Sequence, residues 1–333
     1  MRRIVLLLIF IVVFCCIGIA QKDSNYIVQF ERPYNVQFNT WVNNFDFFIN
    51  PPRFTNSQQL LQLSPNSSWQ TGLSLGLKYV TVAFGVQVPY TNRDEKTFGR
   101  TRFYDFSFSY YQSRSGGEVY SRSFSGIYRS TGMIDTSSIS KLPDANIQMH
   151  GLTLYYNFNH RKFSYRSALS MAEFQKKSSG AFLLMMNLGY RKIDSPQPLI
   201  PPDIDVIKNY GELTGMRSLS MTHLNVRPGY AYNFCMKGGT WFISPSAFAG
   251  LGLASYQIKS ITDNSRGISP EFDAHAKLSI GRNGKKYFFN VFATYDANLN
   301  MFGYPNFVAF QSTSIGFNAG FRFHTLIPAI KWL

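Results

Sequence analysis

Along most of the chain after residue 20, apolar and polar side chains trade places at every second position, and this rhythm restricts the fold more than any other feature. Leu73, Leu75 and Leu77 alternate with Ser74 and Gly76; Val80, Val82, Phe84, Val86 and Val88 alternate with Thr81, Ala83, Gly85 and Gln87. The same pattern sets Tyr104, Phe106 and Phe108 against Asp105 and Ser107, Tyr230, Tyr232 and Phe234 against Ala231 and Asn233, and Ile315, Phe317 and Phe321 against Gly316, Asn318 and Arg322. Period two is the signature of a strand with one greasy and one polar face. The slip of phase between Lys78 and Val80 predicts a tight hairpin there.

No run after Ala20 approaches the roughly 18 apolar residues that a membrane helix needs. A chain that crosses lipid without helices has to close its sheet, because hydrocarbon cannot satisfy an open edge. Composition agrees with a lipid setting: 17% of the residues are aromatic and only 15% are charged, where about a quarter charged is usual. The expected fold is therefore all-β, an antiparallel transmembrane β-barrel of about twelve strands within a range of roughly 10–14.

Arg2 and Arg3, the apolar run Ile4 to Phe14, and Gly18-Ile19-Ala20 form a secretory signal with cleavage after Ala20. Phe14 and Cys15 precede the two signal cysteines and are not the small residues that lipoprotein processing prefers. Cleavage leaves Cys235 alone, so the mature protein forms no internal disulfide. The 33 basic residues less Arg2 and Arg3 leave 31 against 18 acidic ones, a balance of +13.

Residues 21–68 read as a periplasmic lead-in with a possible first strand, 69–323 as the barrel and 324–333 as a tail. Short polar breaks at Gln112 to Gly117, Asn159 to Lys162, Met236 to Gly239 and Arg282 to Lys286 contrast with long connections at Thr91 to Arg100, Arg129 to Asn146, Ile193 to Arg217, Ser260 to Ser269 and Met301 to Val308. Short turns in the periplasm and long loops outside are the expected topology. Counting from Trp69 to Phe323 gives about twelve strands and puts the first-half short turns outside. Adding Val36 to Ile49 and a strand after Ile193 gives about fourteen, with every short turn periplasmic. Pro196, Pro198, Pro201 and Pro202 oppose a central strand there. Whether 193–217 is loop, helix or strand stays open.

The chemistry is sparse. Gly72-Leu73-Ser74-Leu75-Gly76 matches G-x-S-x-G, which works from a strained strand-to-helix turn; here the alternation simply continues, so the motif reads as barrel lining. His150, His160, His223, His275 and His324 lie far apart with no paired spacing, so no metal, cofactor or catalytic group is expected. A barrel can still gather distant His and Ser residues, as lipid-modifying outer-membrane enzymes do, and that is the second function class beside a narrow pore or ligand-binding envelope protein. A soluble secreted β-sandwich is the third. Export removes nucleic acid as a partner for the basic clusters. They read as loop charges and as lumen arginines paired with acids such as Asp105 and Asp296, or else as a basic lumen or rim for anionic solutes or lipopolysaccharide phosphates. The polar candidates for lumen or loop are Arg166, Gln175, Lys176, Lys177, Ser178, Asp105, Asp296 and Arg322. Expected partners are outer-membrane lipid and lipopolysaccharide, with barrel-assembly and periplasmic chaperone machinery during biogenesis.

Thr101-Arg102-Phe103-Tyr104-Asp105-Phe106, Tyr110-Tyr111 and Ser125-Gly126-Ile127-Tyr128 form one set of blocks. Lys162 to Ala168, Gln175 to Leu184 and Pro228 to Phe234 form another. In this order the chain resembles a family of outer-membrane barrels from Bacteroidetes, domain-of-unknown-function family four-four-two-one. The resemblance spans nearly the whole mature chain. It implies a barrel and carries no activity or ligand.

Overall fold

A computed structural model describes residues 22–49, 61–131, 139–201, 210, 213–261, 263–302 and 307–324. The signal segment and the tail from Leu326 lie outside these residues.

The alternation becomes a cylinder wall. Strand β1 (Ile27–Gln29) stands apart from it; β2 (Tyr34–Ile49), β3 (Leu61–Pro65), β4 (Trp69–Leu77), β5 (Val80–Gln87), β6 (Arg102–Tyr111), β7 (Ser115–Thr131) and β8 (Ser140–Asn157) build its first half. A short β9 (Glu173–Gln175) pairs with β1. The second half is β10 (Ser179–Asp194), β11 (Met216–Met236), β12 (Trp241–Ser260), β13 (Asn264–Asn283), β14 (Tyr287–Met301) and β15 (Phe307–Phe323). Neighbours pair antiparallel, and β15 returns to β2 from Val308↔Ile49 to Phe323↔Tyr34, which closes the sheet and leaves no edge. Strands β3 and β4 lie end to end along β2 and share one wall position, so the closed barrel has twelve strands.

The oily stripe faces outward. Leu73, Phe84, Phe106, Phe182, Leu251 and Ile315 are all exposed, whereas Asn35, Ser74, Asn225, Arg227, Glu271 and Asn290 are buried inside. A soluble sandwich would turn these faces the other way round, so that reading fails. Aromatic pairs such as Phe182 with Tyr230, 5.1 Å apart across β10 and β11, brace the outer face. Such pairs contribute about 0.5–1.5 kcal/mol each beyond their buried area.

The short turns at Lys78-Tyr79, Gln112-Ser113-Arg114, Lys237 to Thr240 and Gly284 to Lys286 all lie at the end that holds Tyr34 and Phe323. We call it the turn end and the other the loop end. Twelve strands and uniform placement of the short turns are therefore compatible. The first strand is Tyr34–Ile49, inside the stretch 21–68, and among the described residues no strand lies between β10 and β11. The predicted hairpin sits where Leu77 faces Val80, with Lys78 in the left-handed region at φ 53°.

Strands β11, β12 and β13 run 21, 20 and 20 residues, about twice what a tilted strand needs to cross lipid. The excess projects at the loop end, and it corrects two expected long connections. β12 and β13 are joined across residues 261–263, and β8 starts at Ser140. Gly126 marks a bulge: the β7–β8 register shifts between Ser125 and Ile127, φ is 82°, and a Cβ would fall 2.2 Å from the Arg100 carbonyl oxygen.

Candidate functional site

Strand parity decides what enters the lumen. On β13, Glu271, Asp273, His275 and Lys277 occupy alternate positions and point inward, while Phe272, Leu278 and Ile280 are exposed. Facing them are Asp296 and Asn298 of β14, Asp105 of β6, and Glu118, Tyr120 and Arg122 of β7. All of these except Glu271 line a chamber of about 440 Å³.

Most of its charges are matched directly. Arg122 Nε donates to Asp105 Oδ2 at 3.1 Å. Arg227 lies 3.1 Å from Asp273 and Arg191 3.5 Å from Glu271. His275 Nδ1 is 2.6 Å from Asp296 Oδ1. Asn225 Nδ2 donates to Glu271 at 2.8 Å and to Asp273 at 3.1 Å, so these carboxylates are shared by amides as well as guanidinium groups. Of these, Arg191, Arg227, Glu271 and Asp273 are buried, and buried charges persist when they are paired and hydrogen-bonded in this way. Glu118 accepts from the Ser109 and Tyr111 hydroxyls, each at 3.1 Å. The Lys277 ammonium lies 5.7 Å from the Phe292 ring centre.

The chamber is bounded on both sides. Toward the loop end, Phe45, Phe47, Ile49, Phe124, Ile147 and Phe310 belong to a continuous apolar cluster. Leu199, Ile200 and Leu213, from the connection between β10 and β11, pack into it. Toward the turn end, residues 158–178 leave the wall after β8, form a four-residue helix Arg166–Leu169, pass through β9 and rejoin the wall at β10. Phe163 and Tyr165 are buried against Leu183, Met185 and Phe248 of the wall. We call residues 158–178 the inner closure.

Wall amides hold this closure from inside. Asn233 Nδ2 donates to the Ser164 carbonyl at 3.0 Å, Asn283 Nδ2 to that of Glu173 at 2.8 Å, and Asn157 Nδ2 to that of Phe163 at 2.9 Å. Gly239, at φ 95°, lets the β11–β12 turn approach the closure, since a Cβ there would fall 2.0 Å from the Gln175 carbonyl oxygen. Residues 22–29 lace it from below. β1 pairs with β9, and the Asp23 N–H donates to the Arg161 carbonyl at 3.0 Å.

Six of the candidate residues gather at this closure. Arg166 is buried and its Nη1 donates to Glu173 Oε1 at 2.9 Å; its Nη2 donates to the Lys78 carbonyl. Gln175 takes the Ser164 N–H at 2.8 Å and donates to the Lys162 and Lys177 carbonyls at 2.7 and 3.0 Å. Lys176 reaches the Ser24 carbonyl at 3.0 Å, Lys177 lies over the Tyr26 ring, and Ser178 Oγ accepts the Cys235 N–H at 2.9 Å. Arg322 is buried beneath the closure between the Phe30 and Phe288 rings, 3.7 and 4.4 Å away, and donates to Asn283 Oδ1 at 2.7 Å. Asp105 and Asp296 line the chamber instead. Asp296 has His275 rather than an arginine as its contact. Ser74 of the G-x-S-x-G match sits inside β4 and accepts from Asn39 at 2.6 Å.

Glu173 is fully buried at the centre of the closure, outside the spanning strands. Burial alone would raise its carboxyl, but Arg166 and Lys22, together with the Ser164 hydroxyl at 2.6 Å, hold it below the usual glutamate range. Sequence reasoning missed Glu173, Glu118, Arg122, Arg191, Arg227, Glu271, Asp273, His275 and Lys277 as site residues. Four of them carried a readable signal, the charges at every second position from Glu271 to Lys277.

Among solved structures the chain is similar to in-vitro folded OmpT, an outer membrane protein of Vibrio cholerae, at 7% identity and TM-score 0.33, over 85% of this chain and 98% of that one. It is also similar to the outer membrane protease OmpT of Escherichia coli at 6% identity and TM-score 0.39, over 90% and 100%. A third is the beta domain of the Bordetella autotransporter BrkA at 11% identity and TM-score 0.38, over 86% and 99%. No curated protein matches the chain. Residues 21–323, which include every strand of the wall and the inner closure, match the model of the family described as Domain of unknown function (DUF4421), and the chain belongs to that family.

Proposed function

We propose that the protein is an outer-membrane barrel that holds a small polar solute in an enclosed lumen, without acting as an open pore. The observation that carries this reading is the sequence of layers along the lumen: an apolar cluster at the loop end, a charged chamber, and the inner closure at the turn end. Pockets of roughly 300–1,000 Å³ with a few converging polar groups are the ordinary size for small ligands. The turn end with its short connections faces the periplasm on this reading. The signal ending at Ala20 delivers the chain there, and barrel-assembly machinery inserts it. Lipid and lipopolysaccharide surround the exposed belt. Purified protein in planar bilayers is expected to be electrically silent; discrete conductance through most of a recording would overturn the proposal.

One observation favours a lipid-modifying enzyme. Ser121 Oγ lies 3.0 Å from His150 Nδ1, and the His150 ring stacks near Tyr190 at 6.4 Å. Their neighbours Tyr120, Arg122 and Met149 line the chamber, so both side chains sit on the outer wall facing lipid. A working nucleophile also needs its base oriented by a third group, and among the described residues no carboxylate is hydrogen-bonded to His150. Envelope lipids from a strain carrying His150→Ala should match those of the parent by mass analysis. A changed acyl profile would restore the enzyme reading.

A further inference from the structure

Of the ionisable acidic and basic side chains that line the chamber, Glu118 and Lys277 are the two with no oppositely charged or imidazole group within ion-pair distance among the described residues. They are not independent. Both line the same chamber, and Asp296, the other carboxylate on that wall, is already in contact with His275. Glu118 Oε2 takes both hydroxyl hydrogen bonds, from Ser109 and Tyr111, which fixes the carboxylate. Lys277 meets the flat face of Phe292 and, among the described residues, no hydrogen-bond acceptor. One anion and one cation therefore face a common space without an ion-pair contact between them.

We propose that the chamber is a binding site for a small zwitterion of the α-amino acid type, its ammonium held by Glu118 and its carboxylate by Lys277. The proposal rests on the reading of the lumen as a solute-holding chamber and names the solute's class. Charge balance selects that class. A lone anion at Lys277 would leave Glu118 without a contacting counter-charge, and a lone cation at Glu118 would leave Lys277 so. Uncompensated charge is costly at low dielectric. A molecule carrying both charges compensates both at once. Its charge-assisted hydrogen bonds would be about twice as strong as neutral ones.

The test uses the full mature barrel in detergent, with radiolabelled alanine as the probe in equilibrium dialysis and labelled acetate and methylammonium as single-charge controls. Alanine should bind saturably and the two controls should not. Lys277→Met and Glu118→Gln should each weaken alanine binding by about tenfold or more. Folding of each variant is read independently from its heat-dependent shift on a gel. The exchanged double variant Glu118→Lys with Lys277→Glu should recover binding, because a zwitterion can enter reversed.

Absence of saturable alanine binding by the wild type overturns the proposal, as does binding that survives in both folded single variants. Acetate binding as tightly as alanine makes the site an anion site and overturns it too. Bilayer recordings on the same preparation separate this proposal from the one beneath it. A conducting barrel that binds alanine sinks only the enclosed-lumen reading, and a silent barrel that binds none sinks only the zwitterion.

Discussion

A cysteine placed in the chamber as Thr294→Cys, in a Cys235→Ser background, should react with a hydrophilic maleimide at least about a hundredfold faster once the inner closure is cut out. That factor corresponds to a closure whose spontaneous opening costs a few kcal/mol, the usual scale of sub-global opening. Thr294 lines the chamber, so its reactivity reports access. Residues 161–177 can be replaced by a short Gly/Ser linker because Asn159 Nδ2 already lies 2.8 Å from the Gly180 carbonyl, so the two wall strands meet there. Equal reactivity with and without the closure would show that residues 158–178 seal nothing. The cut barrel should remain electrically silent, since the apolar cluster at the loop end is untouched.

Lipid made the wall legible. Most outward positions at membrane depth are apolar, so Leu73, Phe106 and Ile315 stand out against their inward neighbours without any knowledge of partners. The same reasoning fails above the membrane, where the outward face is wet. Asn146, Lys192, Ser218, Ser220, Gln257 and Lys259 line an outer groove on long strands, and their polarity makes strand read as loop. Thus Ser260 to Ser269 looked like a long connection, although β13 begins at Asn264.

The chamber was half legible. Asp105 is flanked by Tyr104 and Phe106 and is recognisable as an inward acid, but its partner Arg122 is identified only by the β6–β7 register, where the two residues face each other. The inner closure was the least legible, because several of the side chains that hold it lie more than 50 residues away in sequence. Asn233, Asn283 and Arg322 look like ordinary lumen residues until the segment 158–178 is seen to fold against them. Its block of Arg166 and Gln175 to Ser178 could be read equally as a turn, and it does connect β8 to β10.

The largest loss of stability is expected at Arg166→Leu. Glu173 is fully buried, and removing one partner of a buried ion pair leaves uncompensated charge, at a cost of about 3–5 kcal/mol. Lys22 still contacts Glu173, which favours the lower figure. The measurement is denaturant unfolding of the detergent-solubilised barrel at neutral pH. The double variant Arg166→Leu with Glu173→Leu should recover most of the loss, because exchanging a buried pair for apolar residues is often close to neutral. The pH dependence has a defined sign. Glu173 is held below its ordinary value when folded, so on acidification the unfolded chain takes up the proton first and acid favours unfolding. Its stabilisation is complete at neutral pH and fades as the pH falls from the ordinary glutamate range through the lowered value. Without Arg166 the carboxyl should protonate at a higher pH, and the acid-dependent loss should shrink. An Arg166→Leu variant that unfolds within about 0.5 kcal/mol of the wild type, the usual effect of a bland surface change, would mean that the Arg166–Glu173 contact does not hold the inner closure in place.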